Sequence, residues 1–196
     1  MRLTLASKSA ARTAVLRGAG VAFETTGSDV DEDAVKTSLL AQGVGPKAVA
    51  EALADAKALA VSQAREGLVI GSDQTLDLQG RLFDKVSTLE AARERLRLLR
   101  GKPHQLHSSV SLAEGGQVVW RETVSAALTM RDFSDAFLEG YLAEEGSEAL
   151  GSVGCYRLEG PGLQLFAEVQ GDYFTILGLP MMGLLEALRG RGVLAT

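Results

Sequence analysis

The 196-residue chain is 46% hydrophobic and 23% charged, enough apolar material for a buried core, and its length suits one domain spanning residues 1–196. Its formal charge of −5 argues against a nucleic-acid polymer as partner, since such proteins present a basic face to the phosphates. The single cysteine, Cys155, excludes an internal disulfide and a cysteine-bound zinc and suits a reducing, cytoplasmic compartment, while no apolar run reaches the roughly 18 residues that span a membrane.

Residues 1–23 carry Arg2, Lys8, Arg12 and Arg17 and no acid, a composition shared with organelle transit peptides. The alternative reading is a short strand, Leu3 to Ala6, followed at once by a helix from Ser9 to Arg17 that Gly18 and Gly20 stop. Val21 to Thr26 reads as a second strand, and Ser28 to Asp33 as an acidic loop. Pro46 suits the first turn of an alanine-rich helix running to about Arg65, and Leu68 to Ile70 is a β-branched run leading into Gly71-Ser72-Asp73. Ser87 and Glu90 have capping-box spacing ahead of Leu89, Ala92, Leu96 and Leu99, with Gly101 and Pro103 ending that helix. Leu106 to Ala113 and Val118 to Met130 flank Glu114-Gly115-Gly116 as a hairpin. Ser134 to Glu145 reads as a helix closed by Gly146, two strand segments surround Gly160-Pro161-Gly162, and Leu179 to Leu188 is a terminal helix. This alternation predicts an α/β or mixed α+β fold.

Three stretches carry chemistry. In Ser7-Lys8-Ser9-Ala10-Ala11-Arg12 a strand end meets a helix start, where free N–H groups and a partial positive charge, joined by Ser7, Ser9, Lys8 and Arg12, would bind phosphate oxygens. The bland reading is that Ser7 or Ser9 only caps the helix. Asp29-Val30-Asp31-Glu32-Asp33 places four carboxylates in five residues; such a run is usually solvated, but Mg²⁺ takes one or two carboxylates together with substrate phosphates. Asp73 ends an apolar strand, where a charge is costly unless it is paired, hydrogen-bonded or metal-bound. It would serve as general base or as metal ligand, or merely shape a turn. Lys57 emerges at the margin of its helix's apolar stripe and Lys85 lies in the connection before the capped helix; each is a phosphate-binding or a snorkelling lysine.

Together these residues resemble the Maf family of nucleotide pyrophosphatases over nearly the whole chain. The family's opening pattern is matched by Leu5, Ala6, Ser7, Ser9 and Arg12, with Ala10 and Ala11 in place of Pro and the first Arg. Its acidic element is similar to Asp29-Val30-Asp31-Glu32, and its two lysines and aspartate fall on Lys57, Lys85 and Asp73. Asp84-Lys85-Val86 stands where the family usually has Gly-Lys-Pro. Gly71-Ser72-Asp73-Gln74 and Gly154 to Gly160, with Glu159 in place of Gln, resemble the 7-methyl-GTP branch rather than the dTTP/UTP branch. The resemblance implies a twisted mixed sheet flanked by helices, two lobes around a cleft, and often a homodimer. It implies hydrolysis of the α,β-phosphate bond of a nucleoside triphosphate, with Asp73 and Glu32 holding Mg²⁺ or Mn²⁺ and Arg12, Lys57 and Lys85 neutralising phosphate charge. Ser7 and Ser9 would position phosphate, and Gln74 and Glu159 would face the base. A dTTP/UTP pyrophosphatase and a nucleotide-binding regulator of septum formation without turnover are the alternatives.

Overall fold

The computed structural model describes residues 2–195. A seven-stranded mixed sheet organises the chain. Strand β1 (Leu3–Ala6) lies between β2 (Glu24–Thr26) and β3 (Leu68–Leu78), parallel to both. Strand β5 (Pro103–Glu114) runs antiparallel to β3, β6 (Gln117–Met130) to β5, and β7 (Phe166–Gln170) to β6, while the short β4 (Arg81–Phe83) folds back on the far half of β3. The β5–β6 turn places Gly115 at φ 56° and Gly116 at φ 76°, the left-handed pair that a tight two-residue hairpin requires.

The helices are α1 (Ala10–Gly18), α2 (Glu32–Ala41), α3 (Pro46–Ser62), α4 (Leu89–Leu99), α5 (Asp135–Glu145), a single turn α6 (Tyr173–Ile176) and α7 (Met181–Gly190). Among the described residues no helix is long and apolar enough to cross a membrane.

The long strands cross from one apolar core to another. In β3, Leu68 and Ile70 join Leu3, Leu5, Leu16, Leu184 and Leu188 in one cluster, and Leu76 and Leu78 join Phe83, Leu96, Leu99 and Leu138 in the second. Strand β5 repeats this, with Val110 and Leu112 in the first core and Leu106 in the second. Each fully buried leucine contributes roughly 1.5–3 kcal/mol relative to exposure, so both ends of the sheet are firmly held. Between the cores the strands turn polar, as Ser72-Asp73-Gln74-Thr75 on β3 and His107-Ser108-Ser109 on β5.

Helix α3 covers the other face of β3. A Cβ on Gly71 would lie within 2.5 Å of the Ala58 nitrogen and closer still to the Ala54 carbonyl oxygen, so glycine sets how near the helix backbone comes to the strand.

Several sequence expectations are corrected. The acidic stretch is not a loop throughout: Asp31 accepts from the Ala34 N–H as the cap of α2, and Glu32 and Asp33 form its first turn, where acids oppose the helix dipole favourably. Asp73 does not end a strand but sits in the middle of β3, so it shapes no turn. The second strand is confined to Glu24–Thr26, α3 stops at Ser62 rather than near Arg65, and Thr88 rather than Ser87 caps α4. Of the two strands expected around residues 160–162 only β7 forms, after a 3₁₀ turn at Pro161–Leu165.

Candidate functional site

The pairing of β3 leaves an interruption in the sheet. Strand β1 pairs with it only from Leu68 to Gly71, and β4 only from Leu76 to Leu78, so among the described residues Ser72 to Thr75 are paired on the β5 side alone. The N-terminus of α1 opens over this interruption because β1 ends at Ala6. A cleft of about 1090 Å³ lies there, and the residues singled out from the sequence that line it are Ser7, Lys8, Ser9, Arg12, Glu32, Asp33, Lys57, Asp73, Gln74, Lys85 and Glu159, whereas Asp29 and Asp31 of the acidic stretch do not.

At its floor, Lys57 projects from the buried face of α3 and Asp73 from the α3-facing side of β3. The Lys57 Nζ donates to Asp73 Oδ1 at 2.6 Å and lies 2.9 Å from Glu32 Oε1. A buried ammonium is tolerable only when paired in this way. Burial pushes the Asp73 carboxyl above its ordinary range, against the attraction of Lys57 and Arg12, and Glu32 adds to the rise.

Arg12 is a brace. Its Nε donates to the Gly178 carbonyl at 2.8 Å and its Nη1 to the unpaired Ser72 carbonyl at 2.9 Å, with Ser7 Oγ at 3.4 Å. Burial lowers its pKa, opposed by Asp73 and Glu32, but a guanidinium stays charged. Among the described residues Nη2 makes no hydrogen bond and is free to meet a ligand. Ser9 caps α1 by accepting from the Arg12 N–H at 3.4 Å, and Ser7 accepts from the Ser9 N–H at 3.2 Å; Ala10 and Ala11, the first two residues of α1, also line the cleft. Gln74 is largely committed: its amide donates to Ser108 Oγ and to the Thr175 and Ile176 carbonyls at 2.9–3.1 Å. Lys85 has no ion-pair partner among the described residues, and burial, then Arg12 and Lys57, lower its pKa while Asp73 and Glu32 resist. Glu159 is exposed and lines the cleft, as do Phe83, Tyr156 and Leu158.

Sequence reasoning missed Lys36, whose Nζ lies 2.8 Å from Asp33 and 2.7 Å from Asp84. Its position three residues after Asp33 and four after Glu32 would have marked it, had the acidic stretch been recognised as a helix start. The cleft lining holds six basic and six acidic side chains; Glu32 and Asp73 share Lys57, Asp33 and Asp84 share Lys36, and Glu148 pairs with Arg157. Among the described residues no group of three or more His, Cys, Asp or Glu could hold a metal by itself.

The sequence profile described as Maf-like protein matches residues 2–191. The chain is 56% identical to a nucleoside triphosphate pyrophosphatase of Caulobacter vibrioides, over 98% of this chain and 96% of that one. It is 48% identical to a 7-methyl-GTP pyrophosphatase of Brucella abortus over 96% of each chain, and 48% identical to one of Rhizobium meliloti over 98% and 97%. Matched along nearly its whole length, the chain belongs to the Maf family.

Proposed function

We propose that the chain is a nucleoside triphosphate pyrophosphatase that splits the α,β-phosphate bond to release a monophosphate and pyrophosphate. The observation that carries this reading is the Glu32–Lys57–Asp73 cluster, two carboxylates on one buried ammonium beneath a cleft with cations at its rim. The pyrophosphatases among its relatives, similar over the full length, support the same reaction.

The triphosphate lies with its phosphates toward the α1 N-terminus, whose first-turn N–H groups, with Ser7, Ser9, Arg12 Nη2 and Lys85, receive the oxygens. Asp73, with Oδ1 held by Lys57, accepts the proton of the attacking water at its other oxygen. Lys57 fixes that carboxylate and offsets negative charge as pyrophosphate departs.

The donor set fits Mg²⁺ or Mn²⁺. Two carboxylates within reach of one ammonium match a cation that takes the rest of its ligands from substrate phosphates and water. Asp73 and Glu32 would hold it, and it would supply the positive charge that a balanced set of six acids and six bases lacks for a triphosphate.

The base lies against Phe83, Tyr156 and Leu158, with Glu159 at the edge. A carboxylate there favours a guanine N–H edge or the cationic 7-methylguanine over thymine or uracil; a dTTP/UTP preference is the runner-up. Pyrophosphate release measured across 7-methyl-GTP, GTP, dTTP and UTP tests this. The expected ranking puts 7-methyl-GTP first, and Glu159→Gln narrows its lead. A thermal shift with every nucleotide but product from none would favour the regulator without turnover.

A further inference from the structure

We infer that Lys36 is a positioning residue that ties α2, and with it Glu32, across the cleft mouth to the segment bearing Lys85. The inference rests on the pyrophosphatase reading above. Helix α2 buries none of its residues fully, so apolar packing does little to fix its place. Its polar attachments are Glu32 to Lys57 on one side and Lys36 to Asp84 on the other. Lys36 is the better buried end of that second link, its side chain 14% exposed against 59% for Asp84.

Asp84 is a firm anchor. Arg95 on α4 donates to the Asp84 carbonyl at 3.0 Å and to the Val153 carbonyl at 2.6 Å, with its guanidinium 4.6 Å from the Phe83 ring centroid. The backbone at residue 84 is therefore bound to the second core, and Lys36 binds α2 to it. The same bond occupies the carboxylate next to Lys85, leaving the Lys85 ammonium for substrate. Lys36 thus serves two groups it does not touch, setting where Glu32 stands and keeping Asp84 from Lys85.

The test compares Lys36→Met, Lys36→Arg, Asp84→Asn and the Lys36→Met/Asp84→Asn pair on the triphosphate that wild type hydrolyses fastest. The pair is partly exposed, so kcat should fall about three- to tenfold in Lys36→Met and Asp84→Asn, no further in their combination, and recover in Lys36→Arg. KM should rise in Lys36→Met, which frees Asp84 beside Lys85, and not in Asp84→Asn. Because Lys36 acts through Glu32, adding Lys36→Met to Glu32→Gln should lower kcat no further. Glu186→Gln, which breaks a surface pair with Arg189 on α7, is the control and should leave kcat unchanged. Wild-type kcat in both single variants, with only the melting temperature lowered, would overturn the inference. So would a lower KM at unchanged kcat in Asp84→Asn, or independent losses in the Glu32→Gln background. Should Lys36→Met not fold, Asp84→Asn alone carries the kcat prediction. Hydrogen exchange keeps the two readings distinguishable: α2 amides that exchange no faster in either variant sink the tether, whereas a wild type releasing no pyrophosphate sinks the functional reading beneath it.

Discussion

Replacing Lys57 by methionine preserves most of the side-chain volume against β3 while removing the ammonium that Asp73 and Glu32 share. The Lys57 and Asp73 side chains are 8% and 11% exposed, and stripping one partner from a buried pair costs about 3–5 kcal/mol. The lower end applies, because Arg12 still attracts Asp73 and the carboxyl can escape by taking a proton. A loss of about 3 kcal/mol lowers Tm by roughly 6–12 °C for a chain of this size.

The loss should depend on pH in a defined direction. Burial already raises Asp73 above its ordinary 3.8, and Lys57 is the largest opposing influence, so the variant's carboxyl rises further. The folded variant then holds this proton more tightly than the unfolded chain, and its stability falls as pH climbs from about 4 through the raised value. Urea unfolding in EDTA at pH 8 and pH 4.5 reads both effects. The deficit against wild type should be largest at pH 8 and shrink by about 1 kcal/mol or more at pH 4.5. A deficit under about 1 kcal/mol at pH 8, or one equal at both pH values, would refute the view that Asp73 is held ionised chiefly by Lys57.

The close approach of α3 to β3 makes Gly71→Ala strongly destabilising: the clash is with helix backbone, which cannot step aside cheaply, so the free energy of unfolding should fall by about 3 kcal/mol. Lys85→Met should raise KM about five- to tenfold with little change in kcat, as loss of a point charge on phosphate implies. Since burial and neighbouring cations lower the Lys85 pKa, wild-type kcat/KM should begin to fall at a pH below that of an ordinary lysine, and the variant's alkaline limb should lie higher. Ser9→Ala removes the α1 cap and should cost about 1 kcal/mol by thermal or urea unfolding; a larger rise in KM than this predicts for stability alone would mark the hydroxyl as a phosphate ligand as well.

Much of this was readable from the chain itself, and the failures share a cause. Strand β1, helices α3 and α5 and the β5–β6 hairpin were legible because each couples an apolar period to a terminator such as Pro46, Ser134 or Gly115-Gly116. Helix α2 was not, since it buries no residue fully and its apolar face is the short pair Val35 and Leu39; the further signs were Asp31 as a cap and acids in the first turn. Asp73 read as a strand end because β3 leaves one core before entering the other, and the polar residues between them interrupt the apolar pattern mid-strand. The site residues could be named from the sequence, whereas their wiring could not. That Arg12 braces the Ser72 and Gly178 carbonyls, that Gln74 is spent on α6, and that Lys36 answers Asp84 all depend on contacts between segments distant in sequence.

In the proposed reaction a water that Asp73 deprotonates cleaves between the α and β phosphates. The most direct test follows a γ-labelled triphosphate with Mg²⁺ or Mn²⁺ in wild type and Asp73→Asn. Label recovered as pyrophosphate beside the nucleoside monophosphate, with the rate at least about a hundredfold lower in Asp73→Asn, is the predicted result. Label released as single phosphate, or an Asp73→Asn variant that turns over at the wild-type rate, would contradict it.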